Sequence, residues 1–394
     1  MTEPTARRQP NPYRPGFNQA PVVFAGRGEV LDAANEALDV AALDGRTPRP
    51  VVLVGPRGVG KTVTLGEISQ LAAQRSWPTV HVEARAGSLV AELGDRLRAA
   101  RNLFDGREPA ASSRRRTRIT GAKVEASVLG IGGGIEIERA ADDRESEQRG
   151  GLGAELRGVM RAATAQGSGL LLALDELQNA SSAELHELGA VLQEHVADAW
   201  PLVVVIAALP SFRGKRGGRM PTYLERAEWH ALEGLAAPDA REALLGPAEQ
   251  SGRPMTDGAA DALLALAGGY PYAIQVAGHF AWRASHGAKT ITEQHAAAAA
   301  PRIGADLDQL FLSRWEDASP REREYLAALA EAEILHSEPH GGQVAAVLGQ
   351  RVSAVSYLRD RLIKKGTIYR DGAGGLRFIT PGMGDWVRRG TRSR

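Results

Sequence analysis

The chain has 394 residues, of which 43% are apolar and 24% charged, and its formal net charge is +1. These proportions are ordinary for a soluble globular protein, and the length suits two or three domains. The absence of cysteine excludes disulfides, thiolate zinc sites and thiol catalysis. No run of about 18 apolar residues occurs, so no helical membrane span is expected. Residues 1–15 are polar and rich in proline and arginine, without the apolar core of an export signal, which makes the cytoplasm the expected compartment.

In chain order, Pro4, Pro10, Pro12 and Pro15 predict an extended arm over residues 1–20. Helical spacing follows at 32–43. The apolar run Val51–Val54 then leads into Gly55-Pro56-Arg57-Gly58-Val59-Gly60-Lys61-Thr62, an unbroken G-x-x-x-x-G-K-[ST], and into Val63 and a helical stretch over 62–75. Strand, glycine loop and helix in that order form a phosphate-binding unit. The glycines let backbone N–H groups curl around a polyphosphate, and the positive end of the helix faces the same anion. Lys61 is placed for the β/γ-phosphates, and the Thr62 hydroxyl for Mg²⁺. The expected ligand is a nucleoside triphosphate, ATP with Mg²⁺.

Further apolar runs at 79–82, 170–174 and 202–206 read as buried strands. Helical stretches separate them, which predicts a parallel sheet covered on both faces. Residues 105–150 interrupt this pattern with a basic stretch, Arg114 to Arg118, and two alternating segments around Gly130–Gly134. They read as an inserted β-hairpin, either a second polyanion contact or a surface insertion. The strand at 170–174 ends in Asp175-Glu176. Asp175 is placed to hold Mg²⁺ through water, and Glu176 to polarise an attacking water. Adjacent acids also suit a helix N-terminus.

Beyond about residue 235 the strands stop. Asp257–Ala267 has helical spacing and ends at Gly268-Gly269, and Pro271 opens a second helix running to about His286. The alanine run 296–300 also reads as helix. Ser319-Pro320-Arg321-Glu322 then caps a helix reaching about Ala332, followed by helices at 343–348 and 353–365. Strands at 367–370 and 376–379 flank the glycine-rich turn 371–375. Three helices and a hairpin follow the winged helix-turn-helix plan, whose third helix enters the DNA major groove. Ala354, Val355, Leu358 and Leu362 mark that helix's buried face. Arg351, Ser353, Ser356, Arg359, Lys364, Lys365 and Arg377 are the candidate DNA contacts. Residues 351–394 carry eleven basic and three acidic residues, a net +8 against −7 for the rest, which favours a polyanionic partner. A protein-docking role for the same module stays open.

Together these motifs resemble the AAA+ superfamily, nearest the group that includes archaeal replication-initiator and origin-recognition ATPases and STAND signalling ATPases. Phe24, Gly26 and Arg27, in Val23-Phe24-Ala25-Gly26-Arg27-Gly28-Glu29, are similar to the family's F-x-G-R-x-x-E box near the adenine. Residues 203–210 resemble its sensor 1 strand, and Gly268-Gly269-Tyr270-Pro271-Tyr272 its Gly-x-Pro element at sensor 2. The resemblance implies an α/β P-loop NTPase core at 21–234, a helical lid at 235–304 and a winged helix at 305–394, with Tyr270 and Pro271 at the nucleotide. It also implies self-association, with a neighbour's arginine reaching the site. Arg226 sits where that finger is expected, with Arg213, Arg216 and Arg219 as competitors. Two departures matter. Ala207-Ala208 stands where sensor 1 usually offers a polar group, leaving Ser211 as a substitute, and Tyr272 stands where sensor 2 often has arginine. Slow hydrolysis, or ATP used as a switch, is therefore expected. The output is DNA binding or assembly, a signalling switch acting on a protein effector, or a helper ATPase for a mobile element or defence system.

Overall fold

The computed structural model describes residues 9–16, 19–44, 46–106, 151–194, 196–212, 221–370, 374–380 and 382–392. The inserted hairpin with Arg114 to Arg118, the competing arginines at 213, 216 and 219, the first eight residues of the arm and turn residues 371–373 lie outside them.

Helix α1 (Gly28–Leu43) precedes β1 (Val51–Val54), α2 (Lys61–Gln74), β2 (Thr79–Glu83), α3 (Leu89–Phe104), α4 (Leu152–Ala165), β3 (Leu170–Asp175), α5 (Ser182–Glu194), β4 (Leu202–Ala208), the one-turn α6 (Thr222–Glu225) and β5 (Glu228–Ala231). The strands form one parallel sheet in the order β2-β3-β4-β1-β5. Each strand of the sheet centre is buried along its whole length, as in Leu170–Asp175 and Leu202–Ala208. Helices cover both faces, so these strands read as continuous apolar runs rather than alternating ones. One face packs Val52, Val80, Leu172 and Ile206 against α3, α4 and α5. The other packs Leu53, Leu171 and Val205 against Leu38 of α1 and Leu65 and Ile68 of α2.

Four helices follow: α7 (Ala237–Gln250), α8 (Asp257–Ala267), α9 (Pro271–Ala284) and α10 (Glu293–Glu316). The arm is not free where it is described. Tyr13 is buried against Gly278 of α9, at a spot where a Cβ would lie 2.2 Å from its ring, and its hydroxyl donates to the Leu244 carbonyl. Helix α10 runs unbroken through residue 304. Its Ala299 and Ile303 belong to the four-helix core, and its Phe311 to the next one. That core holds α11 (Pro320–Leu335), α12 (Gly341–Val347), α13 (Val352–Lys364), the antiparallel pair β6 (Ile368–Arg370) and β7 (Leu376–Phe378), and α14 (Met383–Arg392). Helix α14 was not anticipated; it packs on α11 through Val387, while Trp386 meets Phe311 and Trp315. On α13, Val355, Leu358 and Leu362 are buried as expected, but Ala354 is exposed.

Candidate functional site

The glycine loop is shaped by what crowds it. Gly55 leaves β1 so close to β5 that a Cβ there would lie 2.3 Å from the Leu232 carbonyl. Gly60 takes φ 95° to turn the loop into α2, a left-handed conformation that glycine enters without steric cost. Lys61, 5% exposed, folds back into the loop, where Nζ donates to the carbonyls of Gly55 (2.9 Å) and Pro56 (2.7 Å). Burial pulls its pKa down to about 8; Glu176 and Asp175 oppose that shift, and Arg57 adds to it. A buried ammonium held by neutral carbonyls fits a place that a polyanion would fill.

Strand β3 brings the acids to the same crevice. It lies two strands from β1, across β4, whose end is the small pair Ala207-Ala208. Thr62 Oγ1 donates to Asp175 Oδ2 at 2.6 Å over that gap. Burial raises the Asp175 pKa, partly offset by hydrogen bonds from Thr62 and the Glu176 N–H. Among the described residues no cluster of three or more His, Asp or Glu stands ready for a metal. One hydroxyl and one carboxylate fit Mg²⁺, which usually keeps its waters and takes further oxygens from phosphates. Glu176 has φ 50°, left-handed for a non-glycine residue, which costs on the order of 1–3 kcal/mol. Its N–H donates to Asp175 Oδ1 at 2.8 Å, and its carboxylate accepts from the Gln178 amide. Gln178 Oε1 in turn accepts from the Leu209 N–H at 2.9 Å, just past β4. The sequence reading missed Gln178, although Asp-Glu-x-Gln placed it two residues from Glu176.

Two more segments close on the loop. Arg27 donates to the carbonyls of Val59 (3.1 Å) and Glu233 (2.7 Å), tying the segment before α1 to the loop and to the exit from β5. Burial lowers its pKa. Gly26, at φ 67°, presses on Asp239 of α7 in the same segment as the half-buried Phe24, and Val23 packs on Gly246. From the other side Tyr270, 3% exposed, caps α9 just ahead of Pro271 and donates to the Arg57 carbonyl at 2.9 Å. Its hydroxyl sits over Gly58, where a Cβ would lie 1.9 Å away. The Tyr272 ring lies 6.0 Å from that of Tyr270, tilted by 52°. Burial lowers the pKa of Arg314, in the last turn of α10; the Arg57 charge adds to that shift, and Asp317, Tyr270 and Glu176 oppose it. No sequence motif pointed to Arg314, forty-two residues past Tyr272.

The structure does not bring the remaining candidates to the loop. Arg226 precedes β5, whose Glu228 aligns with Val51, so this exposed side chain lies at the sheet edge opposite the loop of its own chain. Ser211 lies in the turn Pro210–Phe212, against β6. In the C-terminal segment Arg351, Ser353 and Lys364 are exposed and Ser356 half-buried. Lys365 instead donates to Glu322 Oε2 (2.6 Å) and the Asp317 carbonyl (2.8 Å), Arg377 pairs with Glu338, and Arg359 with Asp360. The +8 surplus also depends on where counting starts. Residues 308–387 hold ten Arg and Lys against eleven Asp and Glu. Acids on α10, α11 and the following turn answer the basic residues of α13, β7 and α14.

Residues 23–205 match a family model described as AAA ATPase domain, and residues 308–387 match one described as a domain of unknown function (DUF8462). No curated protein matches the chain. A Walker-type ATPase of Pyrococcus abyssi superposes with a TM-score of 0.61 at 15% identity, covering 93% of this chain and 96% of that one. The ORC2 protein of Aeropyrum pernix, solved as ADPNP–ADP complexes, gives a TM-score of 0.52 at 13% identity, covering 96% and 98%. At these identities the likeness is one of fold. The chain has a P-loop NTPase fold, with residues 23–205 similar to an AAA ATPase domain, followed by a largely helical C-terminal region. No helix among the described residues is long and apolar enough to cross a membrane.

Proposed function

We propose that the chain binds ATP with Mg²⁺, hydrolyses it slowly and uses the nucleotide state to govern what its C-terminal module engages. The carrying observation is the 2.6 Å contact between Thr62 and Asp175 beside a lysine buried among loop carbonyls. On binding, Lys61 exchanges the Gly55 and Pro56 carbonyls for phosphate oxygens. Thr62 and Asp175 are the residues that would hold Mg²⁺, the hydroxyl and the carboxylate each offering an oxygen. The bound Mg²⁺ supplies neutralisation of charge across the transferred phosphate. Glu176 orients the attacking water once it leaves Gln178. Arg27 and Tyr270 fix the loop from two sides, with Phe24 and Pro271 flanking the nucleoside. Arg226, facing away from its own loop, is proposed to serve a neighbouring copy. The apolar end of β4 supports a slow reaction, because it adds no donor at the γ-phosphate. Binding of a fluorescent ATP analogue tests this reading: Lys61→Ala should abolish binding, and Glu176→Gln should bind but not turn over. Unchanged affinity in Lys61→Ala would falsify the site.

For the C-terminal region we propose a winged helix with duplex DNA as its partner, engaged by Arg351, Ser353, Ser356 and Lys364 of α13. In this reading Arg351 and Lys364 would meet phosphates, and Ser353 and Ser356 base edges. A protein effector is the second reading. It is favoured by Val352 and Tyr357, 47% and 50% exposed on the same helix, and by the balanced charge of residues 308–387. A gel-shift series over salt separates them. DNA contacts give affinity that falls steeply with salt, whereas absence of binding at low salt leaves the protein effector.

A further inference from the structure

We propose that the four-helix unit carries a second anion site, separate from the glycine loop: a cleft beside the N-terminal arm that takes a small phosphorylated ligand. The cleft has a volume of about 930 Å³ and lies between arm residues 9–11, the second half of α9 and the first half of α10. Small-molecule sites span roughly 300–1,000 Å³, so the size is suitable. It lies at the opposite end of α9 from Tyr270, about 18 Å along the helix axis.

Arg253, in the turn after α7, dominates the chemistry of this cleft. It is 4% exposed, and its Cζ lies 4.0 Å from the centroid of the Trp282 ring. Nη1 donates to the Trp282 carbonyl (3.0 Å) and to Ser285 Oγ (3.2 Å), and Nη2 to Gln9 Oε1 of the arm (2.7 Å). Nε is buried without a partner. Every acceptor is neutral, so the charge is buried without a counter-ion, which is costly. Elsewhere in the same unit Arg241 is paired with Asp257 and Asp261. The other basic residues of the cleft are Arg283, Arg302, His279 and His286, and no acidic side chain lines it among the described residues. The side chains of Arg283 and Arg302 are exposed and make no hydrogen bond or ion pair among the described residues. Arg283 instead lies 6.0 Å from the centroid of the Phe280 ring. His279 is set as a donor. Asn11 Oδ1 accepts from the Tyr13 N–H at 3.0 Å, which turns Asn11 Nδ2 to His279 Nδ1, also at 3.0 Å. Nδ1 then accepts, and the neutral ring carries its proton on Nε2.

Three guanidiniums and two imidazoles around one opening, with no acid among them, make a site for an anion. A phosphate head brings about two negative charges near pH 7, and its oxygens suit the paired N–H donors of guanidinium groups. Arg253 supplies a charge fixed by the Trp282 ring and carbonyl, and Arg283 and Arg302 supply long side chains that close on the ligand. The anion gives Arg253 the counter-ion that Gln9, a neutral acceptor, does not. A concave site favours a small ligand over a nucleic-acid backbone, whose phosphates follow a stripe of surface cations. Because arm residues 9–11 form one wall, a ligand in the cleft also holds the arm on α9.

The test uses the full chain carrying Lys61→Ala, which removes the lysine of the glycine loop, with pyrophosphate as the probe in calorimetry. One equivalent should bind, and it should slow hydrogen exchange at the Asn11 and Tyr13 amides. Adding Arg283→Gln or Arg302→Gln should weaken binding by about tenfold each, the loss of one charge-assisted contact. Arg253→Gln should abolish it; because that side chain is buried and its loss also strains the fold, the two exposed arginines decide. AMP separates the sources of the phosphate. Tighter binding of AMP than of pyrophosphate assigns a nucleotide, and weaker binding assigns an inorganic polyphosphate. Absence of pyrophosphate binding once Lys61 is replaced, or an affinity unmoved in both Arg283→Gln and Arg302→Gln, overturns the proposal. Citrate binding as tightly as pyrophosphate overturns the phosphate assignment. A short DNA duplex that displaces pyrophosphate, and loses as much affinity in Arg302→Gln, overturns the small ligand in favour of nucleic acid.

Discussion

Lys61 is a cation whose partners in the folded chain are the carbonyls of Gly55 and Pro56 and the nearby charges of Glu176 and Asp175. That arrangement gives it a titration near neutrality, with a pKa of about 8 set mainly by burial. A polyphosphate raises the value, so the complex holds a proton that the free protein loses above pH 8. Affinity for ATP should be flat below about pH 7 and fall as pH rises through 8, approaching tenfold per unit for a single proton. Calorimetry at pH 8.5 in buffers of different ionisation enthalpy should show proton uptake on binding; its absence would place the titration elsewhere. Gln178 acts on the other acid. It holds the Glu176 carboxylate with one end and the Leu209 N–H with the other. Gln178→Ala frees that carboxylate, so phosphate release should rise severalfold with ATP affinity nearly unchanged. A fall in turnover would mean that Gln178 orients Glu176 productively instead.

At the scale of elements, the sheet was legible because a strand buried on both faces has to be apolar throughout. Val51–Val54, Leu170–Asp175 and Leu202–Ala208 all carry that signature. The loop was legible for a similar reason: the close approach of Leu232 to Gly55 and of Tyr270 to Gly58 demands glycine. What depends on distant partners was not legible. Helix α10 crosses from one core to the next with no composition change at residue 304, and α14 buries a face against α11 that only the fold creates. The pairing of the basic tail was not legible because its partners Glu322, Glu333 and Glu338 lie upstream of the counted window. The α11–α14 seam also carries a titration. Glu333 is pushed up to about 7 by burial, with Arg388 opposing and Asp385 assisting, while Gly384 presses on its carboxyl. Between about pH 4.5 and 7 the folded seam keeps a proton that the unfolded chain releases. Stability should therefore fall as pH rises through that window and level off above it. Glu333→Gln should flatten this part of the profile in thermal melts, and a profile unchanged by the substitution would exclude Glu333 as its source.

In the whole molecule, core, four-helix unit and C-terminal module meet around one stretch of backbone, Arg57-Gly58. Tyr270 bonds the Arg57 carbonyl from α9, and Gly366 sits over the Arg57 side chain from the other side. Parts that meet at a ligand site move together when the ligand changes, if each makes contacts that differ between states. The two contacts differ in kind. Tyr270 grips a carbonyl, which points away from any phosphate the loop's N–H groups hold, so its bond braces the loop for whatever nucleotide occupies it. Removing the hydroxyl in Tyr270→Phe leaves the ring over Gly58 and deletes one buried hydrogen bond, worth about 1 kcal/mol. Affinity for ATP and ADP should drop together by about fivefold. A brace loses both nucleotides equally and a sensor loses one, so measuring both in this variant separates bracing from sensing. A Tyr270→Phe protein that discriminates between ATP and ADP more weakly than wild type would show that the four-helix unit reads the terminal phosphate instead of only bracing the loop.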